Sequence, residues 1–475
     1  MQKTAETNTA LSEHRGIGAF LLGILLRFIA LTVAFFVAMV AVTAIPADMI
    51  RDNVKNSIAE NAADIAANTK LTDEAAQAST YTTDIMFSIM LSQDSDRLLE
   101  SAMDGAYYWD GDNSVKTLVK HPDLEPTIVY SYYWHGWAVV LKPLLIFLDY
   151  ASLKRLFAII FIVSIVALTA LLDRALKPRR GWLFAAAIAA AIALIRGLDA
   201  VTVLPFFFTI EIGVLGSCWL VWASMKKRRR NRIWAYLGFF TIGALTAFFD
   251  FLITPLVAYA LPAICLLLVE CLSKRGRDQA QLRIRDVFIL IIVSGICWLV
   301  GYAGLWAMKW VLASIVLGYN VIQEALGEIL FRVNATDSSQ WATASNISAF
   351  TAVKKNIRAA FPIPFIVMGL LIIIASAVAA CVQHRKVNWA LVAGLLIIAV
   401  LPYLWYAAAA NHSQIHYYFT CRNQIATIAA LLSLCAYGAF VADRPGKSGE
   451  HGKRGPSHAA MEKPTQEPTD REQLI

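Results

Sequence analysis

The sequence predicts an all-α fold: a polytopic transmembrane helical bundle of about ten spans, with a long first external loop and an interfacial or re-entrant helix. Three observations predict it. The 475 residues are 58% hydrophobic and only 16% charged, with a mean hydropathy of +0.56, whereas a soluble chain carries about 25% charged residues. Apolar runs of about 20 residues, the length that crosses a bilayer as a helix, recur along most of the chain. Lys and Arg, which set the net charge of +8, gather in short loops between those runs, as in Lys226 to Arg232. Cytoplasmic loops of membrane proteins carry this bias. The basic balance is therefore no nucleic-acid signature, and a soluble globular enzyme is excluded.

Residues 1–16 are a short cytoplasmic amino terminus containing His14 and Arg15. The run from Ile17 to Ile45 exceeds a signal-peptide core of about 7–15 residues, so 17–46 is an uncleaved first transmembrane helix. Residues 47–154 form an external loop module. Its polar part, 47 to about 128, is far longer than an ordinary connection. Asn53 to Gln77, rich in Ala, Asn and Glu, predicts a helix opened by a capping box of Ser57 and Glu60. Trp137 to Leu148 carries Lys142 and Pro143 and follows the aromatic cluster Tyr130, Tyr132, Tyr133 and Trp134. It is too short to span and fits an interfacial or re-entrant helix.

Residues 155–441 hold the remaining runs, near 155–173, 181–198, 201–224, 233–253, 254–272, 286–313, 360–381, 387–410 and 416–441, with a second external segment at 314–358. With the amino terminus inside and ten spans, the basic clusters Arg174 to Arg180, Lys226 to Arg232, Lys274 to Arg285 and His384 to Lys386 all become cytoplasmic. Eleven spans would put Lys177, Arg179 and Arg180 outside. Residues 442–475, rich in Gly, Pro and charge, read as a disordered cytoplasmic tail. The seven cysteines nearly all fall in apolar runs without C-x-x-C spacing, which fits neither a disulfide framework nor a zinc site. No metal-ligand box is present.

Polar groups retained in or near lipid are the places to look for chemistry. In the turn Asn411 to Arg422, helical spacing makes His412 and His416 i, i+4 neighbours, with Arg422 further in. The planar fork of Arg422 suits a phosphate; a headgroup-snorkelling arginine is the plainer reading. Asp48 follows the first span directly, Asp84 lies beside an apolar stretch, and Asp104, Asp110 and Asp112 cluster further on. A carboxylate at the membrane surface can act as general base or help hold a divalent cation against phosphate oxygens. Tyr133-Trp134-His135-Gly136-Trp137 suits a sugar platform and equally an aromatic belt. Arg196, Asp199 and Asp250, at external helix ends, add polar groups that can face the same cavity. Glu211 is the clear carboxylate at depth in a span, with Arg196 or Lys309 as its expected partner. The triplets Asn334-Ala335-Thr336 and Asn346-Ile347-Ser348 are sequons of a kind that arises often by chance.

Across Thr83-Asp84, Tyr133-Trp134-His135-Gly136, Lys142-Pro143-Leu144-Leu145, Phe248-Phe249-Asp250-Phe251-Leu252 with Pro255, and His412-Ser413-Gln414-Ile415-His416 with Phe419-Thr420 and Arg422, the chain resembles a family of uncharacterised bacterial polytopic membrane proteins. More widely, its layout is similar to GT-C type glycosyltransferases. These have a long first external loop, membrane-surface helices and an acidic residue soon after the first span, and use polyprenyl-phosphate sugars on the outer face. That resemblance implies Asp48 or Asp84 as catalytic base. Arg422 and Lys142 would hold the donor phosphate, with Trp134, His135, Asp250, His412 and His416 in the substrate site. The single acid in Ala47-Asp48-Met49, where a pair is expected, leaves Asp84 as rival to Asp48. The expected function is glycosyl transfer from a polyprenyl-phosphate donor to an envelope glycan, in a bacterial cytoplasmic membrane with both termini cytoplasmic. A transporter or flippase of lipid-linked or small solutes, and a non-catalytic membrane assembly protein, are the alternatives.

Overall fold

In hydrocarbon only a helix, or a closed barrel, satisfies its own backbone donors and acceptors, and apolar sequence here becomes helix almost throughout. The computed structural model describes residues 2–68, 73–110, 114–176, 179–195, 203–226, 232–273, 282–334, 347–361, 363–384 and 386–442, without side chains at 2–15 and 59–81. Asp112, Arg196, Asp199, the sequon residues Ala335, Thr336 and Asn346, and the tail from 443 lie outside the described residues. Within them the chain is all-α, with two isolated bridges, Tyr107 to Ile128 and Leu176 to Ser273, and no strands.

The first helix, α1 (Gln2–Thr43), leads into α2 (Asp48–Asn68), α3 (Asp73–Leu91), α4 (Leu98–Asp104), α5 (Ser114–Lys120) and α6 (Ala138–Leu145). The bundle continues as α7 (Tyr150–Ala175), α8 (Gly181–Leu194), α9 (Leu204–Lys226), α10 (Ile233–Phe249), α11 (Pro255–Leu272) and α12 (Ile284–Leu317). Then come α13 (Val321–Asn334), α14 (Ala349–Ala360), α15 (Ile363–Val382), α16 (Trp389–Ala408), α17 (Ala410–Ile415), α18 (Tyr417–Thr420) and α19 (Ile425–Ala436). Starts are set locally. The Asp149 carboxylate accepts from Ser152 N at 2.9 Å to open α7, and Asn388 Oδ1 accepts from Ala390 N and Leu391 N to open α16. Pro255 opens α11, where its missing N–H costs nothing.

Among the described residues, seven helical stretches are long and apolar enough to cross a membrane: Gly16–Thr43, Tyr150–Ala175, Leu204–Lys226, Pro255–Leu272, Ile284–Leu317, Trp389–Ala408 and Tyr417–Val441. The other three apolar runs expected as spans form shorter helices, within α8, α10 and α15. At eight residues, α6 reaches about 12 Å and cannot cross. The last stretch is broken: between α18 and α19 the residues Cys421–Gln424 wind as a 3-10 turn, and Tyr437–Val441 ends it as a π turn.

At the centre stands α11, buried almost end to end between α9, α10 and α16. The closest helix pair is α10 with α12. A Cβ on Gly243 would run into the Trp298 carbonyl oxygen, and one on Gly301 into that of Phe240. Small residues at such a crossing let two backbones touch. The outer face of α12 carries the external module. Trp134 Nε1 donates to Leu305 O (2.8 Å), Trp310 Nε1 to Tyr132 O (3.0 Å) and Lys309 Nζ to Met103 O (2.6 Å).

Two local expectations are corrected. Ser57 does not open a helix: α2 starts at Asp48, and the Ser57 hydroxyl donates back to Asn53 O while accepting from Tyr150 N at 2.9 Å. It ties α2 to the start of α7. Lys309 does not partner Glu211, because its ammonium is bound to the Met103 carbonyl.

Candidate functional site

Five regions converge on one small, part-open cleft with about 90 Å³ of free space. Thr82 and Ile85 come from α3, Tyr107, Tyr130 and Tyr133 from the external module, and Phe251 and Ile253 from the turn between α10 and α11. Glu328, Phe331 and Arg332 come from α13; His412, Ile415, His416 and Phe419 come from the segment after α16. The lining is mostly aromatic and apolar with a few convergent polar groups, as small-molecule sites generally are.

Each wall has a local cause. Helical spacing puts Val321, Ala325, Glu328 and Arg332 on one side of α13, and Ile322, Leu326 and Leu330 are exposed on the other. Arg332 Nη1 donates to Glu328 Oε2 at 2.7 Å and Nη2 to the Tyr133 hydroxyl at 3.3 Å. Its guanidinium lies 5.8 Å from the Tyr132 ring centroid and 6.0 Å from that of Tyr133, within cation–π range. The Nε atom is buried and has no partner among the described residues. Burial opposes the charge on Arg332, but Tyr133, Tyr132, Tyr130 and Glu328 outweigh it and raise its pKa. It stays a cation.

The turn Asp250 to Thr254 is folded by its own aspartate. Asp250 Oδ1 accepts from Thr209 Oγ1 (3.2 Å), Ile253 N (3.2 Å) and Thr254 N (3.4 Å), while Oδ2 is buried without a partner among the described residues. Burial pushes this carboxyl up to about 6 against those bonds. Leu252 adopts the left-handed region at φ 65°, unusual for a branched residue. Its carbonyl accepts from His412 Nε2 at 3.2 Å, which fixes the proton of the neutral ring on that nitrogen. The His412 and His416 rings stand 4.9 Å apart, and His416 Nδ1 is 3.3 Å from the Tyr418 hydroxyl. Burial, then the charge of Arg332, lowers His416 to about 4; burial, His416 and Arg332 hold His412 well below its ordinary value. Both imidazoles are neutral at physiological pH.

His135 sits behind the lining. It packs against Tyr130, Tyr133, Trp137 and Phe251, and its Nε2 donates to Tyr130 O at 2.9 Å. Burial lowers its pKa to about 3. The left-handed Gly105 (φ 55°) lies so close to His135 that a Cβ there would strike Nε2. Arg422 is one layer back. It is in the 3-10 turn, its guanidinium carbon 3.6 Å from the centroid of the Phe206 ring, and Nη1 donates to Tyr418 O at 2.6 Å.

The remaining expected residues lie apart from the lining. Asp84 is half-buried on the α3 turn that carries Thr82 and Ile85. Asp48, with its side chain 84% exposed, opens α2 and pairs with Arg51 at 2.8 Å. Lys142 is fully buried, donates to Gln93 Oε1 at 2.8 Å, and is lowered by burial to about 7. Trp134 is a buried strut on α12. Glu211 lies inside α9 with neither carboxyl oxygen partnered among the described residues. Among the described residues, no three His, Cys, Asp or Glu side chains come together to hold a metal ion. Glu328 and Arg332 were not among the expected site residues, although their i, i+4 spacing on an amphipathic segment is readable. No protein-family model, curated protein or solved structure matches the chain.

Proposed function

We propose that the protein is a membrane-embedded glycosyltransferase. It would take a sugar from a polyprenyl-phosphate donor and add it to an envelope glycan on the outer face of the bacterial cytoplasmic membrane, both termini being cytoplasmic. One observation carries this reading: Arg332 stands over aromatic rings in the same cleft as Glu328 and two uncharged histidines. A guanidinium bonds two phosphate oxygens at once, and Tyr107, Tyr130 and Phe251 offer ring faces on which a sugar can stack. The layout similar to GT-C enzymes points the same way, as analogy.

On this reading the donor phosphate draws Arg332 away from Glu328. Glu328 then takes the proton of the acceptor hydroxyl. The hydroxyl oxygen bonds to the anomeric carbon from the face opposite the phosphate, the bond from that carbon to the phosphate oxygen breaks, and the configuration inverts. Polyprenyl phosphate leaves with its charge held by Arg332. Asp84, beside the lining of α3, is the second carboxylate to test as base, and exposed Asp48 has no place in this scheme.

The test is envelope glycan composition in a deletion strain complemented with wild type, Arg332→Ala, Glu328→Gln or Asp84→Asn. Wild type restores a missing sugar, and Arg332→Ala and Glu328→Gln, though inserted at normal levels, do not. A glycan unchanged by the deletion overturns the reading. One observation favours transport of a lipid-linked or small solute instead: the unpartnered Glu211 carboxyl inside a span. Transport predicts an intact glycan and lost solute movement in the same deletion strain.

A further inference from the structure

We infer that Glu211 is a proton-binding site inside the membrane, set in the seam between α7 and α9 and separate from the cleft. Glu211 belongs to Leu204–Lys226, one of the stretches long and apolar enough to span. It is 5% exposed, and both carboxyl oxygens are buried with no hydrogen-bond partner among the described residues, which do not include Arg196.

The groups around it leave it that way. Ser164 of α7 stands beside the carboxyl, but its hydroxyl proton is given to Phe161 O at 3.0 Å, and the Cys218 thiol, on the same side of α9, contacts Ser164 O at 3.7 Å. Lys309 is bound to Met103 O. The charged residues of α7, Lys154, Arg155, Asp173 and Arg174, stand at the two ends of that helix. From α10 and α11, the Tyr259 hydroxyl donates to Ile291 O, Glu270 is paired with Arg232 at 2.8 Å, and Tyr236, Cys265 and Cys271 carry no charge to offer. On the described part of α3 the nearest acid in sequence to its contacts is Asp84, which has interactions of its own.

An ionised carboxylate left unpaired in low dielectric is strongly disfavoured, and the neutral acid costs far less. The seam therefore holds Glu211 with a proton on one oxygen. When water reaches the seam the O–H bond breaks, the proton leaves with water and the carboxylate stays behind. Such groups mark proton pathways in membrane proteins. Glycosyl transfer at the cleft makes no use of this carboxyl, so either reading can fail without the other.

Infrared spectra of the full-length protein in liposomes test the site, compared between wild type, Glu211→Asp and Glu211→Gln. The expected result at neutral pH is an un-ionised carboxyl stretch that shifts in heavy water and is lost in Glu211→Gln alone. Wild-type and Glu211→Gln spectra that superpose in the carboxyl region overturn the proposal. Should Glu211→Gln not fold, wild type treated with a hydrophobic carbodiimide answers the same question, since that reagent takes the proton of a neutral acid as it bonds to it. Mass spectrometry should find Glu211 modified, several-fold less at alkaline than at acid pH. An unmodified Glu211 peptide at acid pH overturns the inference.

Discussion

Asp250 and the histidines around the cleft pull stability in opposite directions with pH. Asp250 is raised from 3.8 to about 6. An acid raised in the folded state contributes fully below its unfolded value and loses that contribution as pH climbs through the folded one. The Asp250 contribution therefore drains away between about pH 4 and 6. His416, lowered from 6.5 to about 4, and His135, lowered to about 3, contribute above pH 6.5 and lose it as pH falls through those folded values. Asp250→Asn removes only the acid's share and keeps an oxygen for the turn. In detergent, the variant-minus-wild-type difference in apparent Tm should grow from pH 4 to 6 and then level. The stability difference behind it spans of the order of 3 kcal/mol, because each tenfold change in proton affinity is worth about 1.4 kcal/mol. A difference flat with pH would contradict burial as the cause. At Arg332 the expectation concerns function: Arg332→Lys keeps the charge but loses the fork, so it should restore little of the glycan that wild type restores.

Helix contacts carry their own expectations. Gly301→Ala drives a methyl into the Phe240 carbonyl and should separate α10 from α12, at a cost of about 1–3 kcal/mol or more. Gly327→Ala on α13, where a Cβ meets nothing within 4 Å, should be neutral or up to about 1 kcal/mol stabilising. Thermal unfolding of the two variants side by side checks both. If Gly301→Ala melts with wild type, the close crossing is not what holds that pair. At this scale the helices were legible in the sequence, because hydrocarbon leaves a long apolar run no other backbone solution. Ser57 shows where that reading stops. Its partner Tyr150 N is 93 residues away in the chain, so the S-x-x-E pattern around it reads as a local cap until α2 and α7 are seen together. The cleft was half legible. His412 and His416 stood out as polar groups near lipid, whereas Glu328 and Arg332 look like any i, i+4 pair until the turn at Phe251 and the tyrosines close over them.

For the whole molecule, the cleft constrains how often the chain crosses the membrane. Arg332 follows α12, and His412 follows α16. With α15 and α16 between them, both can stand at one membrane surface only if α15 crosses as α16 does. By the same parity, Tyr133 before α7 and Phe251 after α10 require α8 and α10 to cross together or not at all. In a Cys-free background, Asp96→Cys and Asn320→Cys should react with an impermeant maleimide on intact cells, and Lys386→Cys only after permeabilisation. Equal labelling of Asn320→Cys and Lys386→Cys on intact cells would remove α15 from the spans.

The position of α13 has one more consequence. One side of this helix carries Glu328 and Arg332 into the cleft, and the other exposes Ile322, Leu326 and Leu330. It leaves the span α12 after a single left-handed glycine, Gly318, and the two residues that follow, Tyr319 and Asn320. Such an apolar face fits the headgroup and acyl boundary; seated there, it would tie the height of the guanidinium above the tyrosines to the thickness of the surrounding lipid. The bilayer then acts as a mechanical adjustment on the site. Reconstituted into membranes of graded acyl length, the protein should change its turnover across the series while the melting of its α10–α12 core stays constant.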